Sequence, residues 1–179
     1  MKLGTRRVYS GRVLHLDIDT VRFPDGSVGE LEMIRHSGAS AVVPVLSTDT
    51  AADPEILLIR QFRHAADGLI WEVPAGRLDP GETPDDCARR ELLEEAGAIA
   101  GRLTRLTTIY TTPGFTDERI HLFVARDITQ GQHQREADEF METRSLPLSR
   151  ILAMIESGEV TDGKTVAALL FFSRFGLNL

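Results

Sequence analysis

Two hydrophobic rhythms run along the chain, and the point where one gives way to the other marks its most informative segment. Between residues 13 and 23 apolar and polar positions alternate loosely, Pro24-Asp25-Gly26-Ser27 follows, and a second extended run covers 31–36. Proline presets φ and glycine accepts a positive φ, so the tetrapeptide reverses the chain. Residues 8–36 are therefore predicted to form an N-terminal β-meander. Residues 40–46 and 55–63 are apolar, β-rich runs separated by a polar loop at 47–54, and both read as interior strands. Residues 69–73 make a short strand that stops at Pro74.

The period then changes from two to about 3.6. Thr83 is a good N-cap, Pro84 suits the first helical position, and Asp85 and Asp86 suit the first turn. This helix is predicted to run to Ala96 and stop at Gly97, a favourable residue just past a helix end. Strands are predicted at 103–111 and 119–127 around a loop at 112–118, with another short strand at 140–146. Ser149 is expected to cap a helix ending near 157, and Asp162 to open a last helix over 163–175. Several strands, a helix, more strands and two helices describe an α/β fold with a mixed sheet and packed helices, not a regular βαβ repeat.

Composition narrows the class. The 179 residues are 42% hydrophobic and 26% charged, the profile of a globular chain and not a disordered one. The length suits one domain. No run of 18 apolar residues suggests a membrane span, and the N-terminus lacks the apolar core of a secretory signal. The single cysteine, Cys87, cannot form an internal disulfide, which suits a reducing cytoplasm. A net charge of −7 disfavours nonspecific binding to nucleic acid or an anionic membrane. It leaves open an anionic small molecule held through a cation.

The chemistry concentrates at residues 76–98, GRLDPGETPDDCARRELLEEAGA. Glu91, Glu94 and Glu95 lie three and four residues apart and share a helix face, where their mutual repulsion calls for compensation. Arg89 and Arg90 offer part of it. A hard divalent cation would offer more, since carboxylate oxygens favour Mg²⁺, Mn²⁺ or Ca²⁺ over zinc.

This segment resembles the Nudix box, G-x5-E-x7-R-E-U-x-E-E-x-G-U with U aliphatic, through Gly76, Glu82, Arg90, Glu91, Leu92, Glu94, Glu95 and Gly97. Seven fixed letters at roughly 6% each make a chance match on the order of 10⁻⁹ per window. Ala98 departs from the usual larger aliphatic residue, a change of packing and not of chemistry. The resemblance implies a Nudix α/β/α sandwich in a single domain, with residues of about 1–40 as an antiparallel β extension and about 41–179 as the catalytic fold. It implies hydrolysis of a nucleoside diphosphate linked to another moiety, with Mg²⁺ or Mn²⁺ held by Glu91, Glu94, Glu95 and the Ala75 carbonyl. Glu95 would carry catalysis, and Arg90 and Glu82 would fix the carboxylates.

Flanking residues refine the substrate. Thr112-Pro113-Gly114 resembles the proline-bearing loop of ADP-ribose pyrophosphatases, with threonine where serine is usual, and the runs 59–63 and 71–76 resemble the same subfamily. The resemblance implies that Arg63, Glu72 and Glu118 contact substrate and that Glu139 is the general base, with Glu142 and Glu136 as alternatives. It also implies a homodimer in which residues 8–40 help build the partner's adenosine site. The expected reaction converts ADP-ribose and water to AMP and ribose 5-phosphate. A nucleotide sugar, NADH or FAD would use the same metal chemistry. A nucleotide-sensing, non-catalytic Nudix domain is the remote alternative and would call for a DNA-binding module, for which the chain leaves little length. No G-x4-G-K-[ST], G-x-S-x-G or G-x-G-x-x-G motif competes, and the five histidines form no H-x3-H pair.

Overall fold

A computed structural model describes residues 1–131 and 141–177. Its first three strands, β1 (Lys2–Ser10), β2 (His15–Arg22) and β3 (Val28–Arg35), form a separate antiparallel sheet in the order β1-β2-β3. The meander thus starts at residue 2, six residues before the sequence pattern places it. Its second turn is the expected one: Gly26 takes φ 89°, and Asp25 Oδ1 accepts from the Ser27 amide and hydroxyl.

The body holds two further sheets. Strands β5 (Glu55–Arg63), β6 (Gly68–Glu72) and β10 (Met141–Pro147) form an antiparallel sheet in the order β10-β5-β6. Strands β4 (Ala39–Pro44), β7 (Ala75–Arg77), β8 (Ala98–Tyr110) and β9 (Arg119–Gln130) form a mixed sheet in the order β7-β4-β9-β8. In it β4 and β9 are parallel, with Ala41 opposite Leu122 and Val43 opposite Val124.

Burial alternates across this mixed sheet with period two, as strand geometry requires. Ala41, Val43, Leu122 and Val124 pack on one face with Ile151, Met154, Leu169 and Phe172 of the C-terminal helices. Val42, Phe123 and Ala125 pack on the other with Ala88, Leu92 and Ala96 of helix α1 (Pro84–Ala96). Two apolar layers on opposite faces make an α/β/α sandwich. Helices α2 (Leu148–Glu156) and α3 (Gly163–Phe171) supply the second outer layer, and a π-helical turn, Phe172–Gly176, extends α3.

Three local readings change. Strand β8 begins at Ala98, five residues before the predicted start. Ser149 does not cap α2: the helix starts at Leu148, and Asp53 of the 47–54 loop accepts from both the amide and hydroxyl of Ser149. Strand β7 goes unpredicted, because Pro74 and Gly76 read as chain punctuation.

Candidate active site

Helix α1 is fixed by its own ends and by β4 and β7. Thr83 accepts from the Asp86 amide, and Gly97 closes the helix in the left-handed region, φ 60°. Buried Ser40 of β4 donates to the Pro84 carbonyl at 2.7 Å, and Arg89 donates to the Ala100 carbonyl of β8 at 2.9 Å. The Cys87 thiol lies 3.5 Å from the Gly76 and Arg77 carbonyls of β7. Its apolar stripe faces the mixed sheet, and its glutamates border the Ala75–Gly76 backbone.

That backbone and the glutamates are matched closely. The Ala75 amide donates to Glu95 Oε2 at 2.8 Å. A Cβ added at Gly76 would sit 1.8 Å from Glu91 Oε1, so only glycine leaves room for that carboxylate. Glu91 and Glu95 are both more than nine-tenths buried. Arg90 gathers the remaining charge: its Nε and Nη2 donate to Glu82 at 2.8 and 3.0 Å, and its Nη1 to Glu91 at 2.6 Å and Glu94 at 3.0 Å. The Arg90 hydrogen bonds pull the Glu82 carboxyl down to about 2, against a smaller upward push from burial. Burial, reinforced by Glu82 and Glu91, pushes the Cys87 thiol up to about 12, so it stays protonated and takes no part as a nucleophile.

Opposite the glutamates stands a cationic wall. Arg63 donates through Nε and Nη2 to the two oxygens of Glu72, at 2.7 and 2.8 Å. Lys164 Nζ reaches Glu72 at 2.5 Å and Asp162 at 3.0 Å. Burial pushes the Glu72 carboxyl up, but Arg63 and Lys164 together outweigh it and hold it below its ordinary value. The two walls border a cleft of about 610 Å³, lined also by Gln61, His36, Arg77 and Glu118. A neighbouring recess of about 710 Å³ shares His36, Arg77 and Asp79 with it and adds Arg12, His15 and Arg35.

The structure therefore brings Ala75, Glu91, Glu94, Glu95, Arg90, Arg63 and Glu118 to one cleft. Glu82 stands behind Arg90, and Glu72 stands behind Arg63 and Lys164 rather than at the cleft surface. Glu118 accepts from the Thr111 hydroxyl at 2.9 Å and lies 3.4 Å from His36 Nδ1. Glu139 and Glu136 lie outside the described residues. Glu142 pairs with Arg60 at 3.3 Å, on the face of the β10-β5-β6 sheet opposite Gln61 and Arg63. Sequence reasoning missed Lys164 and Gln61. Lys164 carried a signal, since a cation in the first turn of α3 opposes the helix dipole and needs a reason.

Among the described residues no three His, Cys, Asp or Glu side chains converge closely enough to chelate an ion as they stand. Arg90 meets much of the carboxylate charge in that arrangement. The donor chemistry nevertheless fits a hard divalent cation: buried carboxylates of one helix face, against a glycine that leaves space for their oxygens.

Residues 36–169 match the NUDIX domain family. The chain is 39% identical over 171 residues to an ADP-ribose pyrophosphatase of Bacillus subtilis, covering 94% of this chain and 90% of that protein. It is 36% identical over 171 residues to a methanol dehydrogenase activator of Bacillus methanolicus, with the same coverage. Over 128 residues, 64% of each chain, it is 40% identical to a GDP-mannose pyrophosphatase of Salmonella paratyphi B. The fold resembles a solved structure described as an ADP compounds hydrolase, with a TM-score of 0.81 at 23% identity over 98% of this chain and 92% of that one.

Proposed function

The chain belongs to the NUDIX domain family and is a Nudix hydrolase, and from that premise we propose that it hydrolyses the diphosphate bond of ADP-ribose to AMP and ribose 5-phosphate. The observation that carries this reading is the pairing of two walls of opposite charge across one cleft. A diphosphate is anionic on its exposed oxygens, so it fits a site that offers cations on one side and metal-ligating carboxylates on the other.

The charged side chains named above divide the work in this reading. Arg63 is clamped through Nε and Nη2, which leaves Nη1, unbonded among the described residues, for a phosphate oxygen. Glu72 and Lys164 set the plane of that guanidinium, and Lys164 adds a second positive charge to the wall. Glu91, Glu94 and Glu95 would hold Mg²⁺ or Mn²⁺, which neutralises phosphate charge and lowers the pKa of a bound water. Arg90, itself held by Glu82, keeps Glu91 and Glu94 aligned, and the Ala75 amide fixes Glu95. Glu139 remains the proposed base on sequence resemblance alone. Glu118 also lines the cleft, beside His36.

The apolar side chains that the N-terminal sheet leaves exposed, among them Leu3, Val8, Tyr9, Val28 and Leu31, support a homodimer through that sheet. Among the described residues no helix is long and apolar enough to cross a membrane.

A product assay tests the substrate. ADP-ribose, ADP-glucose, GDP-mannose, NADH and FAD are offered in parallel with Mg²⁺, and products are separated by chromatography. AMP and ribose 5-phosphate, with the highest kcat/KM for ADP-ribose, are expected. The likeness to GDP-mannose pyrophosphatases favours one second reading, a nucleotide sugar. Faster turnover of GDP-mannose would transfer the assignment to that class.

A further inference from the structure

Gln61 is more than nine-tenths buried, and its side-chain carbonyl has no hydrogen-bond partner among the described residues. Buried acceptors of this kind are uncommon, because leaving one unmade costs the full desolvation of the group. This one borders the cleft. Its strand offers many apolar neighbours, Ile56, Leu58 and Ile59 among them, so a glutamine here is not a packing choice.

Gln61 and Arg63 are two residues apart on β5 and share a face, which places them about 7 Å apart along the strand. If Arg63 takes a phosphate oxygen, Gln61 reaches the group one step beyond the phosphates. That group must donate. Phosphate oxygens are ionised at neutral pH and have no hydrogen to give, whereas a sugar hydroxyl does. We propose that the Gln61 side-chain amide is a specificity-determining contact that accepts a hydrogen bond from a hydroxyl of the sugar attached to the diphosphate. The inference rests on the hydrolase reading of the cleft and deepens it: the preferred substrates carry a hydroxylated sugar next to the phosphate bound by Arg63.

The amide also shapes selectivity against competitors. A site that has already buried an acceptor rejects a ligand lacking the matching donor, because the acceptor then stays unpaired. A diphosphate whose attached group has no hydroxyl at that place would bind weakly despite an identical phosphate contact.

The test uses the full chain, with Gln61→Met, which keeps length and flexibility but removes both polar atoms, and Gln61→Asn, which keeps the amide but withdraws it by one methylene. Wild type and variants are assayed on ADP-ribose and on analogues each lacking one hydroxyl of the terminal ribose, with melting temperature measured alongside. Gln61→Met is expected to melt at or above the wild-type temperature, since an unpaired buried carbonyl is gone. It should lose about tenfold or more in kcat/KM on ADP-ribose, as should Gln61→Asn. One deoxy analogue should cost wild type a similar factor and cost Gln61→Met almost nothing further. A Gln61→Met activity within about twofold of wild type would overturn the proposal, as would equal losses by wild type and variant on every analogue. Should Gln61→Met fail to fold, a folded Gln61→Asn of wild-type activity overturns it by the same measure. A wild-type chain inert on the whole nucleoside diphosphate panel would instead defeat the hydrolase reading itself.

Discussion

Helix α1 buries Ala88, Leu92 and Ala96 and brings a cluster of glutamates to the cleft, whereas the β1–β3 sheet buries two aspartates and leaves much of its apolar surface exposed. In that sheet Asp17 and Asp19 are more than nine-tenths buried, and Arg7, Arg35 and Thr5 bond to them. Arg35 also reaches Asp117, and the Ile34 amide and carbonyl bond to the Phe115 carbonyl and Asp117 amide. One region is therefore held largely by non-directional packing that tolerates salt, with a few hydrogen bonds from Ser40, Arg89 and the Ala75 amide added. The other is held by directional ion pairs and a short run of backbone bonds to the 112–118 loop. The difference teaches where precision is spent. The box helix can carry a cluster of mutually repelling carboxylates because its other face secures it. Among the described residues the N-terminal sheet contributes to neither buried apolar layer, so its outer face is suited to be completed by another surface.

The sharpest way to separate anchoring from chemistry on α1 is Glu95→Gln. The amide oxygen can still accept from the Ala75 amide, so the helix should stay seated, but the negative charge is gone. We expect kcat to fall by at least about 10²-fold, the scale seen when one electrostatic contact to a transition state is removed. The melting temperature should stay close to wild type. Near-wild-type turnover in Mg²⁺ would take Glu95 out of the mechanism and leave Glu91 and Glu94 to be tried in turn.

The counterpart on the other region is Arg35→Met. It removes the cation shared by Asp17, Asp19 and Asp117, while the two apolar layers of the sandwich are untouched. Hydrogen exchange should then divide the molecule. Amides of β1, β2 and β3 are expected to exchange about tenfold faster or more, and those of β4 and β9 at the wild-type rate. Uniform acceleration across both would show that the N-terminal sheet and the sandwich unfold as one unit.

Legibility in the sequence follows the same division. Both ends of α1 were readable because Thr83, Pro84 and Gly97 act locally, on their own turn of chain. Strand β5 was readable from its continuous apolar run. Strand β7 was not, because its three residues are a strand only through pairing with β4, more than thirty residues upstream. The cap of α2 was misplaced for a similar reason: its acceptor, Asp53, is 96 residues away. The carboxylates of the cleft were legible as a spaced motif. The opposing wall was not, since Gln61 sits inside a run already explained as a buried strand and Lys164 inside a run explained as a helix start. Both become visible only when β5 and α3 are brought to the same cleft.

Acid gives the mildest probe of the contrast, because both regions depress their carboxyls. The Arg7 and Arg35 hydrogen bonds lower Asp17 and Asp19, and Arg90 lowers Glu82 to about 2. A carboxyl whose folded pKa lies below its unfolded value contributes stability above the unfolded pKa, and that contribution disappears as pH falls through the folded one. For Glu82 the window runs from its ordinary 4.5 down to about 2. Between pH 7 and 5 the stability drawn from these groups should therefore be flat. Below that it should decline, and the decline should persist until Glu82, paired with the always-cationic Arg90, takes up its proton near the bottom of the window. Glu82→Gln removes this contribution, so its melting temperature should fall below wild type at pH 7 and the two should converge as pH approaches 2. A constant gap between the two proteins across the whole range would mean that Glu82 supports α1 by shape and not by charge. Arg90 would then owe its alignment chiefly to Glu91, Glu94 and the Arg77 carbonyl.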